Sequence, residues 1–259
     1  MSELEKLAHD LLPLVETAGH ALCCLYKTEV QIITKPDGSP VTIADQTSHD
    51  ILEEGLKKLL PEVQVISEEG DIHIPHGDTF WLVDPLDGTK GFLRHTGEFC
   101  INIALVHEKQ PILGCIHNPL TNETCFGYGQ TQGFWIDEAG QKHPLRQSND
   151  VPNGKYRALV GHYSRNSDDR QNLFLQQFPL ASIRQMGSAI KFNTLAKGEA
   201  DLYLRLQQSY EWDTAAGQAI IEACGGHVLN LDKTPLTYGK DNLLNSSFVV
   251  ICDDNFNWS

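Results

Sequence analysis

Apolar residues recur at Leu4, Leu7, Ala8, Leu11, Leu12, Val15, Ala18 and Leu22, the spacing of one helical face, and predict a first helix over residues 2–26. Ser2 and Glu5 stand as a capping box at its start, and Pro13 is expected to kink it. A second stripe, Ile51, Leu52, Leu56, Leu59 and Leu60, predicts a helix over 45–60. The period then shortens. Runs near 63–67, 79–84, 99–107, 111–117, 123–128 and 132–136 predict strands, several of them adjacent and therefore antiparallel. The polar stretch from His143 to Gly154, with Pro144, Pro152 and Asn153-Gly154, has the composition of a connection. Beyond it, strands predicted at 157–161, 181–184, 201–204, 226–231 and 247–252 alternate with helices near 167–177, 188–197 and 212–224. The expected class is α/β: an α+β N-terminal half over 1–148 and an α/β C-terminal half over 149–259.

Composition narrows the function classes. The 259 residues, 41% of them apolar, can build one large core or two modest ones. A formal charge of −14, from 34 acidic against 20 basic residues, argues against nucleic-acid binding through a basic surface. Seven cysteines, an odd number without C-x-x-C spacing, exclude a disulfide framework or structural zinc and fit a reducing compartment. The polar start Met1-Ser2-Glu3-Leu4-Glu5-Lys6 is unlike a secretory signal, and no apolar run is long enough to span a bilayer. A soluble cytoplasmic protein is expected, monomer or homodimer, with peripheral association at the cytoplasmic face of the inner membrane left open.

The chemistry concentrates where the apolar run Trp81-Leu82-Val83 stops in Asp84-Pro85-Leu86-Asp87-Gly88-Thr89-Lys90. Pro85 fixes its own φ and biases Asp84 toward extended backbone, so the strand is expected to end at Asp84 and turn through Leu86 and Asp87. Both carboxylates and the Leu86 carbonyl then surround one point, a set of oxygens suited to Mg²⁺, which takes ligands at roughly 2.0–2.1 Å and retains exchangeable waters. Gly88-Thr89-Lys90 offers N–H groups for a phosphate where a short helix begins. In isolation these letters also make an ordinary strand and turn. They are accompanied, however, by Glu68-Glu69-Gly70 after the strand at 63–67, by Asp45 at the head of the second helix, and by Glu211-Trp212-Asp213-Thr214-Ala215-Ala216-Gly217. By position alone, Asp213 reads first as the cap of its own helix.

In this order the four segments resemble the lithium-sensitive, Mg²⁺-dependent phosphatases of the inositol monophosphatase family, over about Pro40 to Gly226. Lys90-Gly91-Phe92 after D-G-T resembles the 3'(2'),5'-bisphosphate nucleotidase branch rather than the T-N-F of inositol monophosphatases. The resemblance implies a layered α-β-α-β-α sandwich with the metals between its halves. It implies removal of the 3'-phosphate of 3'-phosphoadenosine 5'-phosphate to give AMP, with the sulfated analogue as a further substrate and sulfur assimilation as the setting. Glu68, Asp84, Asp87, Asp213 and the Leu86 carbonyl become ligands of two or three Mg²⁺ ions. Asp45 and Thr89 become the pair that orients and deprotonates the attacking water, and Gly88 and Thr89 hold the phosphate. Met186-Gly187-Ser188-Ala189-Ile190-Lys191-Phe192 resembles a G-S-x-x-K-F segment and nominates Ser188 and Lys191 as nucleotide contacts, and Leu202-Tyr203-Leu204-Arg205 nominates Arg205. Glu68, Leu86, Asp87 and Asp213 touch substrate as well as metal. In one departure, Ser164-Arg165-Asn166-Ser167 lacks the S-H pair that contacts adenosine in some relatives.

Other motifs carry less. Gly127-Tyr128-Gly129 and Gly133 miss the spacing of a dinucleotide fingerprint and predict a hairpin. Pro75 within His73-Ile74-Pro75-His76 opposes a zinc-binding helix. Cys23-Cys24 reads as packing, and Glu69 as solvated. Two alternatives remain: an inositol monophosphatase or related sugar phosphatase, and a metal-dependent protein that senses nucleotide without hydrolysing it. The Thr89–Asp45 pair opposes the second, since binding alone needs no water-activating pair.

Overall fold

A computed structural model describes residues 2–28, 32–34, 40–70, 74–146, 151–162, 169–253 and 256–258. The first half runs α1 (Glu3–Tyr26), β1 (Ile32–Thr34), β2 (Pro40–Thr42), α2 (Ile43–Leu59), β3 (Gln64–Ser67), β4 (Thr79–Asp87), α3 (Thr89–Leu93), β5 (Cys100–His107), β6 (Gln110–Asn118), β7 (Glu123–Tyr128), β8 (Gln132–Ile136) and β9 (Lys142–Pro144). The second runs β10 (Tyr156–Val160), α4 (Asp169–Leu175), β11 (Leu180–Gln185), α5 (Ile190–Ala196), β12 (Leu202–Arg205), β13 (Ser209–Tyr210), α6 (Ala215–Ala223), β14 (His227–Asn230), β15 (Leu244–Asn245) and β16 (Phe248–Ile251). Strands β3 to β9 form a seven-stranded sheet in sequence order, and β11-β10-β12-β16-β14 form a five-stranded one.

Sequence dictates the layering through β4, which is buried on both faces and therefore apolar without alternation. Trp81 and Val83 face one side, with Leu11, Val15 and Leu22 of α1 and Leu52 and Leu56 of α2. Phe80 and Leu82 face the other, with Phe192 of α5, Ile220 of α6 and, from the second sheet, Tyr203 and Val250. Phe174 and Leu175 of α4 cover the outer face of that sheet against Val160, Leu204 and Val249. The order is thus helix, sheet, helix, sheet, helix. Helix α6 lies directly on the first sheet because glycine faces it: a Cβ at Gly114 would stand 2.2 Å from the Ala216 carbonyl oxygen, and one at Gly127 2.4 Å from that of Ala219.

Two expectations change, and one strand pair is unforeseen. The strand predicted to stop at Asp84 continues to Asp87, because β5 pairs with it on both sides of an irregularity: Asp84 faces Asn102 and Asp87 faces Cys100. The stretch expected as connection begins with a strand, β9, and residues 147–150, with the proposed domain boundary at 148/149, lie outside the described residues. The hairpin β1–β2 had no periodic signal, each strand being three residues long. Helix α1 runs unbroken through Pro13, with the Ser2 hydroxyl accepting from the Glu5 N–H at 3.1 Å. The hairpin expected around Gly129 is present as β7–β8, with Tyr128 opposite Gln132. All seven cysteines are free thiols, and no described helix is long and apolar enough to cross a membrane.

Candidate active site

Asp84 and Asp87 are three residues apart and would point to opposite faces of a regular strand. Three residue steps on β4 are matched by two on β5, so one residue is extra, a β-bulge that reverses the phase. Leu86 accordingly packs on the α1/α2 side, and Asp87 turns inward beside Asp84. The bulge also takes Pro85 and Leu86 out of the ladder, which frees their carbonyls: Ser48 donates to the Pro85 oxygen at 2.7 Å, and the Thr89 hydroxyl oxygen stands 3.3 Å from the Leu86 oxygen.

Asp213 arrives from the opposite layer, on the turn Glu211–Asp213 that precedes α6. Its carboxylate accepts from the Tyr210 N–H at 3.1 Å, so it closes that turn; α6 has no side-chain cap from Thr214, and the capping role weighed for Asp213 is displaced by one turn. One carboxylate oxygen each of Asp84, Asp87 and Asp213 lie within 4.8 Å of one another. Glu68 follows β3 with its N–H donating to the Val83 carbonyl at 3.1 Å, and lines the same cavity outside that group of three. Burial, then Glu68, Asp87 and Asp213, push the Asp84 carboxyl well above the ordinary carboxylate range. Burial raises Asp213 too, against the pull of Arg205 and with the push of Asp87 and Glu68. Such crowding of oxygens is the chemistry of a hard divalent-cation seat, and the donor set fits one.

Asp45 sits in the first turn of α2, buried, with Oδ2 accepting from the Thr42 N–H at 2.7 Å and hydroxyl at 2.8 Å. Oδ1 accepts from the Thr89 hydroxyl at 3.1 Å, which joins the predicted pair. Thr89 lines the cavity and Asp45 lies behind it. Burial raises Asp45, while the Thr42 and Thr89 hydrogen bonds oppose the rise. Gly88 caps α3 at φ 94°, and a Cβ there would meet the Glu98 carbonyl at 2.4 Å, so only glycine fits.

The facing wall carries Ser188, Lys191 and Arg205. Ser188 is left-handed at φ 49°, an uncommon geometry that lets the next N–H, of Ala189, donate to Asp87. Lys191 is buried and donates to the carbonyls of Met186 at 3.1 Å and Ser188 at 2.6 Å. Two of its three N–H groups therefore hold the loop that carries Ser188. Arg205 spans 3.9 Å to Asp213 and donates long bonds to the Gln207 and Gln208 carbonyls. The cavity between the walls measures about 540 Å³. Its lining also includes Glu98, paired with His162, and Tyr210 stacked on Trp212. No motif pointed to Glu98 and His162, which come from different halves; Tyr210 was detectable only as an aromatic beside Glu211-Trp212-Asp213. Residues 164–167 and His73 lie outside the described residues.

Residues 3–254 match the inositol monophosphatase family. The 3'(2'),5'-bisphosphate nucleotidase CysQ of Escherichia coli strain K12 is 36% identical over 244 residues, 92% of this chain and 96% of that protein. The protein of the same name from Salmonella typhimurium is 35% identical over 94% of this chain and 99% of its own length. The crystal structure of CysQ from Bacteroides thetaiotaomicron, a bacterial member of the inositol monophosphatase family, superposes with a TM-score of 0.79 at 30% identity, covering 96% of this chain and 98% of that one.

Proposed function

The chain belongs to the inositol monophosphatase family, and on that premise we propose that it is a Mg²⁺-dependent 3'(2'),5'-bisphosphate nucleotidase that converts 3'-phosphoadenosine 5'-phosphate to AMP and phosphate. The observation that carries the reading is the closure of the Asp84, Asp87 and Asp213 carboxylates around one point with the Thr89–Asp45 pair beside it. Glu68, Asp84, Asp87, Asp213 and the Leu86 carbonyl would hold two or three Mg²⁺ ions. Bound there, Mg²⁺ supplies positive charge to the phosphate oxygens and the leaving 3'-oxygen and lowers the pKa of water.

Thr89 accepts a proton from the attacking water while its own passes to Oδ1 of Asp45, and Asp45, raised by burial, holds that proton better than an exposed carboxylate would. The water oxygen bonds to phosphorus as the bond to the 3'-oxygen breaks, and that oxygen takes a proton from solvent to leave as the 3'-hydroxyl. N–H groups of Gly88 and Thr89 fix the phosphate, while Ser188, the remaining N–H of Lys191 and Arg205 meet the part of the nucleotide remote from the broken bond.

Phosphate release from 3'-phosphoadenosine 5'-phosphate, inositol 1-phosphate and a small phosphomonoester tests this. With Mg²⁺, the nucleotide should exceed the other two by about tenfold or more in kcat/KM, since a charge-assisted contact is worth about 1.5–3 kcal/mol. EDTA should abolish all three. Equal kcat/KM on nucleotide and inositol phosphate would overturn the substrate, and activity in EDTA would overturn the metal.

A further inference from the structure

Tyr210 is 37% exposed although one face of its ring is already covered: it stacks on Trp212 with centroids 4.6 Å apart and 9° between planes. Trp212 is 2% exposed and packed into the core between the sheets, which gives the stack a fixed base. The exposed surface of Tyr210 therefore lies on the opposite face and edge of the ring, and that ring lines the cavity beside Asp213. Its backbone is held from two sides. The N–H donates to Asp213, the carbonyl accepts from Asn245 at 3.2 Å, and the residue pairs with Leu244 across β13–β15. A polyol phosphate would offer this pre-fixed aromatic plane only C–H edges, whereas a planar base covers it face to face. The plane matches a flat heteroaromatic ring.

We propose that the Tyr210–Trp212 stack is a base platform, on which the base of a nucleotide lies while its 3'-phosphate reaches the acid cluster. The inference rests on the nucleotidase reading and assigns the surface that makes the substrate a nucleotide. Stacking a base on an aromatic side chain changes affinity by about five- to 150-fold. The platform is indifferent to the identity of the base, because every base presents a π-face, so discrimination for adenine must come from edge contacts elsewhere.

The test is equilibrium binding of AMP and of ribose 5-phosphate, which lacks only the base, to the wild type, Tyr210→Phe and Tyr210→Leu in the presence of Mg²⁺. The wild type and Tyr210→Phe should favour AMP by about five- to 150-fold. Tyr210→Leu keeps apolar cover over Trp212 and should bring the ratio close to one. Ring-current shifts of the AMP base protons on the wild type give a readout that needs no substitution. A wild-type ratio near one, a ratio preserved in Tyr210→Leu, or equal losses on both ligands would each overturn the platform; the last would mean that Tyr210 merely supports Asp213. Failure to release phosphate from 3'-phosphoadenosine 5'-phosphate would overturn the nucleotidase reading instead, and the binding ratio would still decide the platform.

Discussion

Asp201 and Asp84 are both buried carboxylates, in the second and first halves of the chain, and the fold treats them oppositely. Asp201 accepts from Arg157 at 2.8 Å through both Nε and Nη2, from the Arg157 N–H at 3.0 Å and from Arg146 at 3.0 Å. Burial alone would raise its pKa, but those partners hold it below the ordinary range. Among the described residues Asp84 accepts a single N–H, from Leu86, and its charged neighbours are Glu68, Asp87 and Asp213. The same desolvation cost is offset by arginine in one place and left outstanding in the other. An outstanding negative charge in a cavity wall marks where a cation belongs, which separates a site carboxylate from a structural one.

The comparison can be broken at three points. The largest effect should come from Asp45→Asn, since its carboxylate is the proposed proton acceptor rather than a metal ligand: kcat should fall about 10²–10⁴-fold while AMP still binds with Mg²⁺. Because Asp45 must be unprotonated to act and burial raises it, the acid limb of kcat should lie above the ordinary carboxylate range. Near-normal kcat in Asp45→Asn would remove it as the base. Next in size, Asp201→Asn should cost about 3–5 kcal/mol of stability by removing the buried countercharge that Arg157 and Arg146 share, read as a fall in Tm with unchanged Mg²⁺ affinity. A neutral result would show that Asp201 is no better offset than Asp84.

The smallest effect is the most direct on the acid cluster. At a hundredfold excess over its Kd, Mg²⁺ should stabilise the protein by about 2.7 kcal/mol. A carboxyl raised on folding favours the folded state at low pH, and that contribution is lost as pH climbs from the unfolded value of 3.8 through the raised one, about 7 for Asp213. The metal-free protein should therefore lose Tm from pH 5 to pH 8, and the gap opened by Mg²⁺ should widen over the same interval. A gap independent of pH would mean that the carboxylates are not the seat.

The acid cluster was legible because its members sit in compact local motifs whose letters already state ligand chemistry, and the layers were legible because α1, α2 and the strands keep clean periods. The bulge was not, since it is created by pairing with Cys100 and Asn102 on β5, and Asp84-Pro85-Leu86-Asp87 alone is equally good as a turn. The sequence nominated Lys191 as a nucleotide contact only, because nothing local reveals that its ammonium closes back on Met186 and Ser188. Tyr210 needed Trp212 to be recognised as buried before its own exposure meant anything.

The bare backbone contacts at Gly114 and Gly127 reach beyond packing. Asp213 rides on the turn at the head of α6, and those glycines fix how closely α6 stands to the sheet that carries Asp84 and Asp87. The width of the ion seat is thus gauged by the core. A preference for an ion with bonds near 2.1 Å over one at 2.3–2.6 Å would follow from how near a helix can lie to a strand, and selectivity between Mg²⁺ and Ca²⁺ becomes a property inherited from two missing methyl groups on β6 and β7.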